Sequence, residues 1–443
     1  MACRSEKWVP ALFSAWEAAG IKYVVLRNYE KLPADTGNDL DLLVDPVRIR
    51  VAEQILIRVM NERGGILHNR AEFSPVSLFF HDPLTKEQFH VDLFRDLKWR
   101  GFDLLRPEKV LDRSIRYNGM SIPSPADESI LNLLTRLVFG GYVKEKYKLP
   151  VRDVFLARAE ETKRGLQMVL GPLGLRIWQQ VERKEFGAIE KQVHRIRGIL
   201  ILRSVCQRPL QTAGEICRDA GRLIARWVRT PGLSIVLMGP DGCGKTSVGT
   251  ALKKRLAGTF YEEYVHHLHW KPRLMKKMAD AAVPFGIPCT DPHGKPARNP
   301  VVNILYFLAH SLEIPPAWLL RVRPRLFRNM LVMIDRYYYD FMVDSKRYRM
   351  NVSEKWAWFM YRFMPKPDLV FCLTAPTEVI QARKQEVSAE ETERQRLAYE
   401  KVACQLPYGH VIDTNRPLNQ VVDEVESVVL KQLSERAAKR IKK

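Results

Sequence analysis

Two sets of residues in this chain have the types and spacing for chemistry on phosphates. The first is Gly239-Pro-Asp-Gly-Cys-Gly-Lys-Thr246, a G-x-x-x-x-G-K-T pattern. Its glycines let successive backbone N–H groups turn inward around an anion, and a helix starting behind them adds its partial positive charge. Gly239, Pro240, Asp241, Gly242, Cys243, Gly244, Lys245, Thr246 and Ser247 therefore form a candidate nucleotide-binding segment. Lys245 would reach the β- and γ-phosphates, and Thr246 would hold Mg²⁺. Downstream, Leu331-Val-Met-Ile334 leads into Asp335, a second metal-side carboxylate. Arg336 beside it has the planar fork that pairs two phosphate oxygens at once. The second set is Asp39, Asp41 and Asp92. Asp39 and Asp41 stand at i and i+2, so a strand puts them on one face. Three such carboxylates can hold two divalent ions that clamp the attacking and leaving oxygens of a phosphoryl displacement.

These residues need particular elements to hold them. Leu233-Ser-Ile-Val-Leu-Met238 reads as a buried parallel strand and Ser247 to Leu256 as a helix, so the glycine loop lies between strand and helix. Asp368 to Leu373 and His410 to Asp413 read as further strands, and Leu418 to Leu433 as a closing helix. Thr377 to Glu400 is a charged helical stretch whose Arg383, Arg394 and Arg396 would serve as a basic lid. Its interleaved glutamates equally fit a salt-bridged, solvated helix. Near the start, Trp8 to Ala19 reads as a helix ending at Gly20, and Tyr23 to Leu26, Asp39 to Asp45 and Gln88 to Phe94 read as strands. Ser124 caps a helix that runs to Gly140-Gly141, and the segments near 151–166, 174–203 and 210–229 are amphipathic. Pro231-Gly232 marks a boundary. The expected division is 1–125, an α+β domain; 126–230, a helical middle; and 231–443, an α/β domain with a parallel sheet.

The net charge of +21 and pI near 9.7 point to an anionic partner: nucleotide, phosphosugar, nucleic acid or anionic lipid head groups. Charge alone does not choose among them, and no nucleic-acid motif is present. The seven cysteines show no CxxC pair and no zinc-ligand spacing, which fits a reduced, cytoplasmic setting. No transmembrane segment is expected. Val301 to Leu320 contains His310, Glu313 and Pro315-Pro316, and reads as a core helix followed by a turn.

Residues 231 to 430 resemble the thymidylate kinase branch of the nucleoside monophosphate kinases. The resemblance rests on the glycine loop, Asp335-Arg336-Tyr337, Pro367-Asp368 before a strand, and Ala382-Arg383-Lys384. It implies a five-stranded parallel sheet between helices, ATP as donor, Mg²⁺ as cofactor, and Asp241 facing the acceptor's sugar. Cys243 fills the slot where some members carry an arginine, so a lid arginine would supply that charge. The acceptor loops depart from the family. An Arg-Glu-Pro-type motif is replaced by His266-His-Leu-His-Trp-Lys-Pro-Arg273 and Asp291-Pro-His-Gly-Lys-Pro296. Lys271, Arg273, Arg336 and Tyr337, with Asp241, are the candidate acceptor contacts. These elements look like the thymidylate kinase-like proteins found among bacterial surface-polysaccharide genes. Residues 8–125 resemble polymerase-β-type nucleotidyltransferases through Asp39, Asp41 and Asp92, but Arg27-Asn28 stands where that family has a Gly-Ser turn.

The leading expectation is an ATP- and Mg²⁺-dependent phosphotransferase acting on a small phosphorylated or sugar-type acceptor other than thymidylate, fused to a nucleotidyltransferase-like domain. Two alternatives stay open: a nucleotidyltransferase with a regulatory phosphate-loop domain, and a nucleic-acid-binding or signalling ATPase. A homodimer also stays open.

Overall fold

The computed structural model describes residues 5–260, 265–269, 299–335, 337–348 and 353–441. The chain divides into two compact units, residues 1–226 with 437–443, and residues 227–436.

The first unit is built on a mixed sheet. Its strands are β1 (Tyr23–Val25), β2 (Leu40–Val44), β3 (Ile66–Glu72), β4 (Val76–His81) and β5 (Gln88–Phe94), in the order β1-β2-β5-β4-β3. β2 and β5 run parallel, and the other neighbours are antiparallel. Alternation sends Leu40, Leu42 and Val44 to one face. There they pack with Trp8, Leu12 and Trp16 of the helix Ser5–Ala18 and with Leu56 and Met60 of the helix Ile49–Glu62. Val24 and Leu43 join the other core, with Leu133, Leu137, Phe155 and Ile177 from the helices that follow. The helices from Pro125 to Gln207 fall in the same compact unit, and their apolar stripes, from Ile130 to Leu200, cover the second face of the first sheet, which would otherwise be exposed. Two ribbons, β6 (Leu97–Trp99) with β7 (Phe102–Leu105) and β8 (Ile115–Tyr117) with β9 (Met120–Ile122), complete the unit.

Capping follows the sequence closely here. Ser124 accepts a hydrogen bond from Asp127 N–H at the start of the helix Pro125–Gly140, and Gly141 ends it at φ 83°. The longer helical stretches are more broken than their amphipathic spacing suggests. The 151–166 segment is divided at Arg158 between Glu145–Ala157 and Ala159–Leu170. The 174–203 segment spans Pro172–Glu182, Phe186–Glu190 and Val193–Gln207.

The second unit has β10 (Leu233–Met238), β11 (Val265–His269), β12 (Leu331–Asp335), β13 (Leu369–Thr374) and β14 (Gly409–Asp413), all parallel in the order β11-β12-β10-β13-β14. Leu233, Ile235 and Leu237 meet Val248 and Leu252 of the helix Lys245–Arg255 and Val421, Val425 and Val429 of the closing helix Leu418–Ile441. Val236 and Met238 meet Phe307, Ile314, Tyr399 and Val402 on the other face. The central β10 is flanked by β12 and β13, so three carboxyl ends converge on one edge, where such sheets bind ligands. Pro315-Pro316 does not start a turn. The helix Pro300–Ala317 continues through a wide π-type turn, Trp318–Val322, into Arg323–Phe327. Two prolines remove two N–H donors, and the helix widens just after them instead of stopping.

Candidate functional site

In the second unit, β10 runs straight into the glycine loop. Gly239, Gly242 and Gly244 have φ of 142°, 94° and 94°, a region that strains any side chain. A Cβ on Gly239 would stand 2.3 Å from Leu373 O, and one on Gly242 2.9 Å from Ile380 O. The helix Lys245–Arg255 starts directly after Gly244, which puts its first-turn N–H groups and its dipole at the loop. Thr246 and Ser247 are exposed in that turn. Lys245 is folded into the loop. Its Nζ donates to Gly239 O and Pro240 O, both at 2.8 Å, and lies 3.6 Å from Asp241 Oδ1. Cys243 is fully buried beneath the loop, and burial pushes its thiol pKa up. Only its backbone can face a phosphate.

Asp335 ends β12 as the register partner of Leu237, two residues before the loop. Strand pairing therefore sets this carboxylate on the loop's edge of the sheet, and the exposed Thr246 hydroxyl stands in the loop's first helical turn. This donor set, one hydroxyl and one carboxylate, suits a hard divalent cation such as Mg²⁺. Asp368 is at the opposite end. It accepts from Ser234 N–H and Oγ at 2.8 Å each and pairs with Arg436, so it pins strand starts together and has no part in the site.

The other sequence candidates separate. Arg336, Lys271 and Arg273 lie outside the described residues, as do the side chains of β11. Tyr337 is 2% exposed, its hydroxyl donates to Pro365 O at 2.6 Å, and its ring meets Trp318 and Tyr339. It is a core residue, drawn into the apolar layer under the sheet, and cannot contact an acceptor. The three lid arginines are not gathered at the loop. Arg383 donates to Thr414 O at 2.9 Å. Arg396 is held by Glu393 and Glu400. With Thr374, Thr377 and Asp413 it lines a cleft of about 690 Å³ at the carboxyl ends of β13 and β14. Arg394 is held by Glu391 but also reaches Val343 O at 3.0 Å.

Sequence reading missed the groups that do touch the loop. Arg347 donates to Asp241 Oδ2 at 2.6 Å and to Asp344 Oδ2 at 2.7 Å, and approaches Glu386 at 3.4 Å. Lys384 pairs with Glu386 at 2.5 Å, and its Cβ lies 3.2 Å from the Cβ position of Gly242. Acid and base at i and i+3, Asp344 and Arg347, was the available signal. Nothing in the spacing says that this short turn faces a loop about a hundred residues earlier.

In the first unit, Asp41 on β2 and Asp92 on β5 are direct register partners. One carboxylate oxygen from each of them and one from Asp39 lie within 4.8 Å of one another. Asp92 accepts from Ser77 Oγ at 2.5 Å and sits 3.0 Å from His90 Nε2. Arg27 closes the group: its Nε donates to Asp41 and its Nη2 to Asp39 at 3.2 Å. Asn28 takes φ 58°, a left-handed conformation that asparagine adopts more readily than most side chains. Burial, and then the neighbouring Asp39 and Asp92, outweigh Arg27 and push the Asp41 pKa up to about 6. Asp41 Oδ1 is buried with no hydrogen-bond partner among the described residues. An orphaned carboxylate oxygen among three convergent acids fits a divalent cation.

Comparison with known proteins bears on the second unit through a family model. Residues 237–425 match the family model described as thymidylate kinase. A curated relative, "Probable thymidylate kinase 1" of Saccharolobus solfataricus, is 25% identical over 205 residues, spanning 45% of this chain and 97% of that protein. Among solved structures, thymidylate kinase from Ehrlichia chaffeensis is 18% identical and aligns over 45% of this chain and all of its own, with TM-score 0.34. The Candida albicans thymidylate kinase is 14% identical over 46% of this chain and 93% of its own, also at 0.34. The C-terminal part of this chain is a thymidylate kinase-like domain, of the nucleotide kinase class. No helix among the described residues is long and apolar enough to cross a membrane.

Proposed function

We propose that the protein is an ATP-dependent phosphotransferase whose second unit phosphorylates a small phosphorylated or sugar-type acceptor other than thymidylate. The carrying observation is the glycine loop at the end of the central strand, with its three left-handed glycines, beside a strand that ends in Asp335. The thymidylate kinase match over the same residues supports the reaction class. The loop N–H groups and the helix start hold the phosphates, and the cleft at β13 and β14 takes the rest of the donor. Lys245 leaves its loop carbonyls for the transferring group. Thr246 and Asp335 would hold Mg²⁺, which spreads the phosphoryl charge when bound. Asp241 and Arg347 face the acceptor. Most of the rate then comes from positioning and electrostatics. Support for an acceptor other than thymidylate comes from the Pro-punctuated 269–273 and 291–296 sequences, and the resemblance that goes with them supports a role in surface-polysaccharide synthesis.

In the first unit the aspartate triad, with its orphaned Asp41 oxygen, favours a second activity, metal-dependent nucleotidyl transfer. Asp39, Asp41 and Asp92 would be its ligands. The primary reading is tested by Lys245→Ala, which keeps the fold and loses ATP turnover. Unchanged turnover would remove the loop from the mechanism. Asp41→Asn tests the second activity, and unchanged products would leave the first unit a binding module.

A further inference from the structure

The first unit contains a cavity that neither proposed reaction uses. It holds about 500 Å³ and is framed by the ribbon β6–β7, the helix Ala159–Leu170, the end of Val193–Gln207 and the start of Pro209–Val228. That volume lies in the range of about 300–1,000 Å³ typical of small-ligand sites. Its floor is apolar, with Leu104, Leu105 and Leu200 all buried.

The walls are strongly basic: six lysine and arginine side chains face two acids. Lys98 is neutralised by Glu215 at 3.1 Å, and Arg113 by Asp127 at 2.7 Å. The remaining four, Arg106, Lys109, Arg203 and Arg208, have no carboxylate partner among the described residues. Among the described residues, Arg203 donates to Gln167 O and Arg208 to Gln211. Four unneutralised cations lining one concavity favour an anion there. The first turn of the 20-residue helix Pro209–Val228 also lines the cavity and adds partial positive charge.

The lining also restricts the ligand. No aromatic ring is in it, so it offers no stacking surface for a nucleobase. Ser204 and Gln207 instead supply neutral hydrogen-bonding groups suited to hydroxyls. We propose that this cavity is a binding site for a phosphate ester of a polyol, such as a sugar phosphate. This reading is independent of the phosphotransferase assignment.

The test is calorimetric titration of glucose 1-phosphate and inorganic phosphate into the full chain carrying Lys245→Ala, which disables the phosphate loop. The expected result is saturable one-to-one binding of glucose 1-phosphate, tighter than inorganic phosphate and weakened by salt. Arg106→Glu with Lys109→Glu, both exposed positions, weakens it at least about tenfold, and Arg208→Ala weakens it in a background with both residues intact. Absence of saturable binding, equal affinity for inorganic phosphate, or affinity unchanged in both variants overturns the proposal.

Discussion

Arg347 and Asp241 are joined by a 2.6 Å charge-assisted hydrogen bond that ties the turn after β12 to the middle of the glycine loop. The same guanidinium holds Asp344 at 2.7 Å and reaches Glu386 beyond the helix Thr377–Arg383. One side chain thus links the loop, Asp344 just after the short helix Tyr339–Val343, and the segment between the helices Thr377–Arg383 and Ala389–Gln405.

That linkage sets the first prediction. A hydrogen bond between charged groups is worth about 1.5–3 kcal/mol, so Arg347→Ala and Asp241→Asn should each lower kcat/KM by roughly 10- to 100-fold. Because the two residues act as a unit, the double variant should be little worse than the poorer single one. Steady-state kinetics on the four proteins measure the coupling. Strict additivity would separate the residues.

Gly239→Ala makes a sharper structural demand. Its Cβ would meet Leu373 O at 2.3 Å, in a backbone region that alanine avoids. The neighbour is strand backbone and cannot move aside. The variant should lose ATP binding, by about 2 kcal/mol or more, together with thermal stability. Fluorescent nucleotide titration and thermal unfolding check both. Gly37→Ala, at a site with nothing within 4 Å, controls for φ strain alone.

Arg27 occupies the mouth of the aspartate triad as an internal cation. Arg27→Met removes it and leaves Asp39, Asp41 and Asp92 facing one another. Affinity for Mn²⁺, measured by calorimetry, should rise by about tenfold, equivalent to roughly 1.4 kcal/mol. A fall in affinity would show that Arg27 helps build the metal site and does not compete with the ion.

Two buried groups give the metal-free first unit opposite responses to acid. His68 is fully buried beside His81, and burial lowers its pKa well below the usual value. The unfolded chain takes up a proton near pH 6.5 that the folded chain does not. His68 therefore costs stability as the pH falls through the unfolded histidine range. Asp41, raised to about 6, takes its proton earlier when folded, and regains about 1 kcal/mol over the same range. Thermal melts should show His68→Gln losing less stability than the parent on acidification, and Asp41→Asn losing more.

The positions of these groups were unequally legible in the sequence. Short-range rules placed the glycine loop, Asp335, β5 and the Ser124 cap correctly, because each rests on neighbours within one strand or turn. The same rules put Asp39 and Asp41 on one face. Asp92 became their partner only through the β2–β5 register, a non-local fact. Tyr337 failed for the same reason. Its neighbours Asp335 and Arg336 are polar, but the sheet's apolar layer captures its ring. Arg394 and Arg396 have the charge a lid needs, but glutamates at i−3 and i+4 hold them on their own helix. The middle helices read only as amphipathic, because that spacing reveals an apolar stripe and not the surface that it covers.

The central claim is phosphoryl transfer from ATP at the second unit. It is tested most directly by incubating the full chain with ATP and Mg²⁺ against a panel of sugars, sugar phosphates and nucleoside monophosphates, with products read by mass spectrometry. The account predicts that at least one acceptor other than thymidylate gains a phosphoryl group, and that Lys245→Ala abolishes this product while leaving any nucleotidyl product from the first unit intact. Phosphorylation of thymidylate alone, or a phosphoryl product that persists in Lys245→Ala, would contradict it.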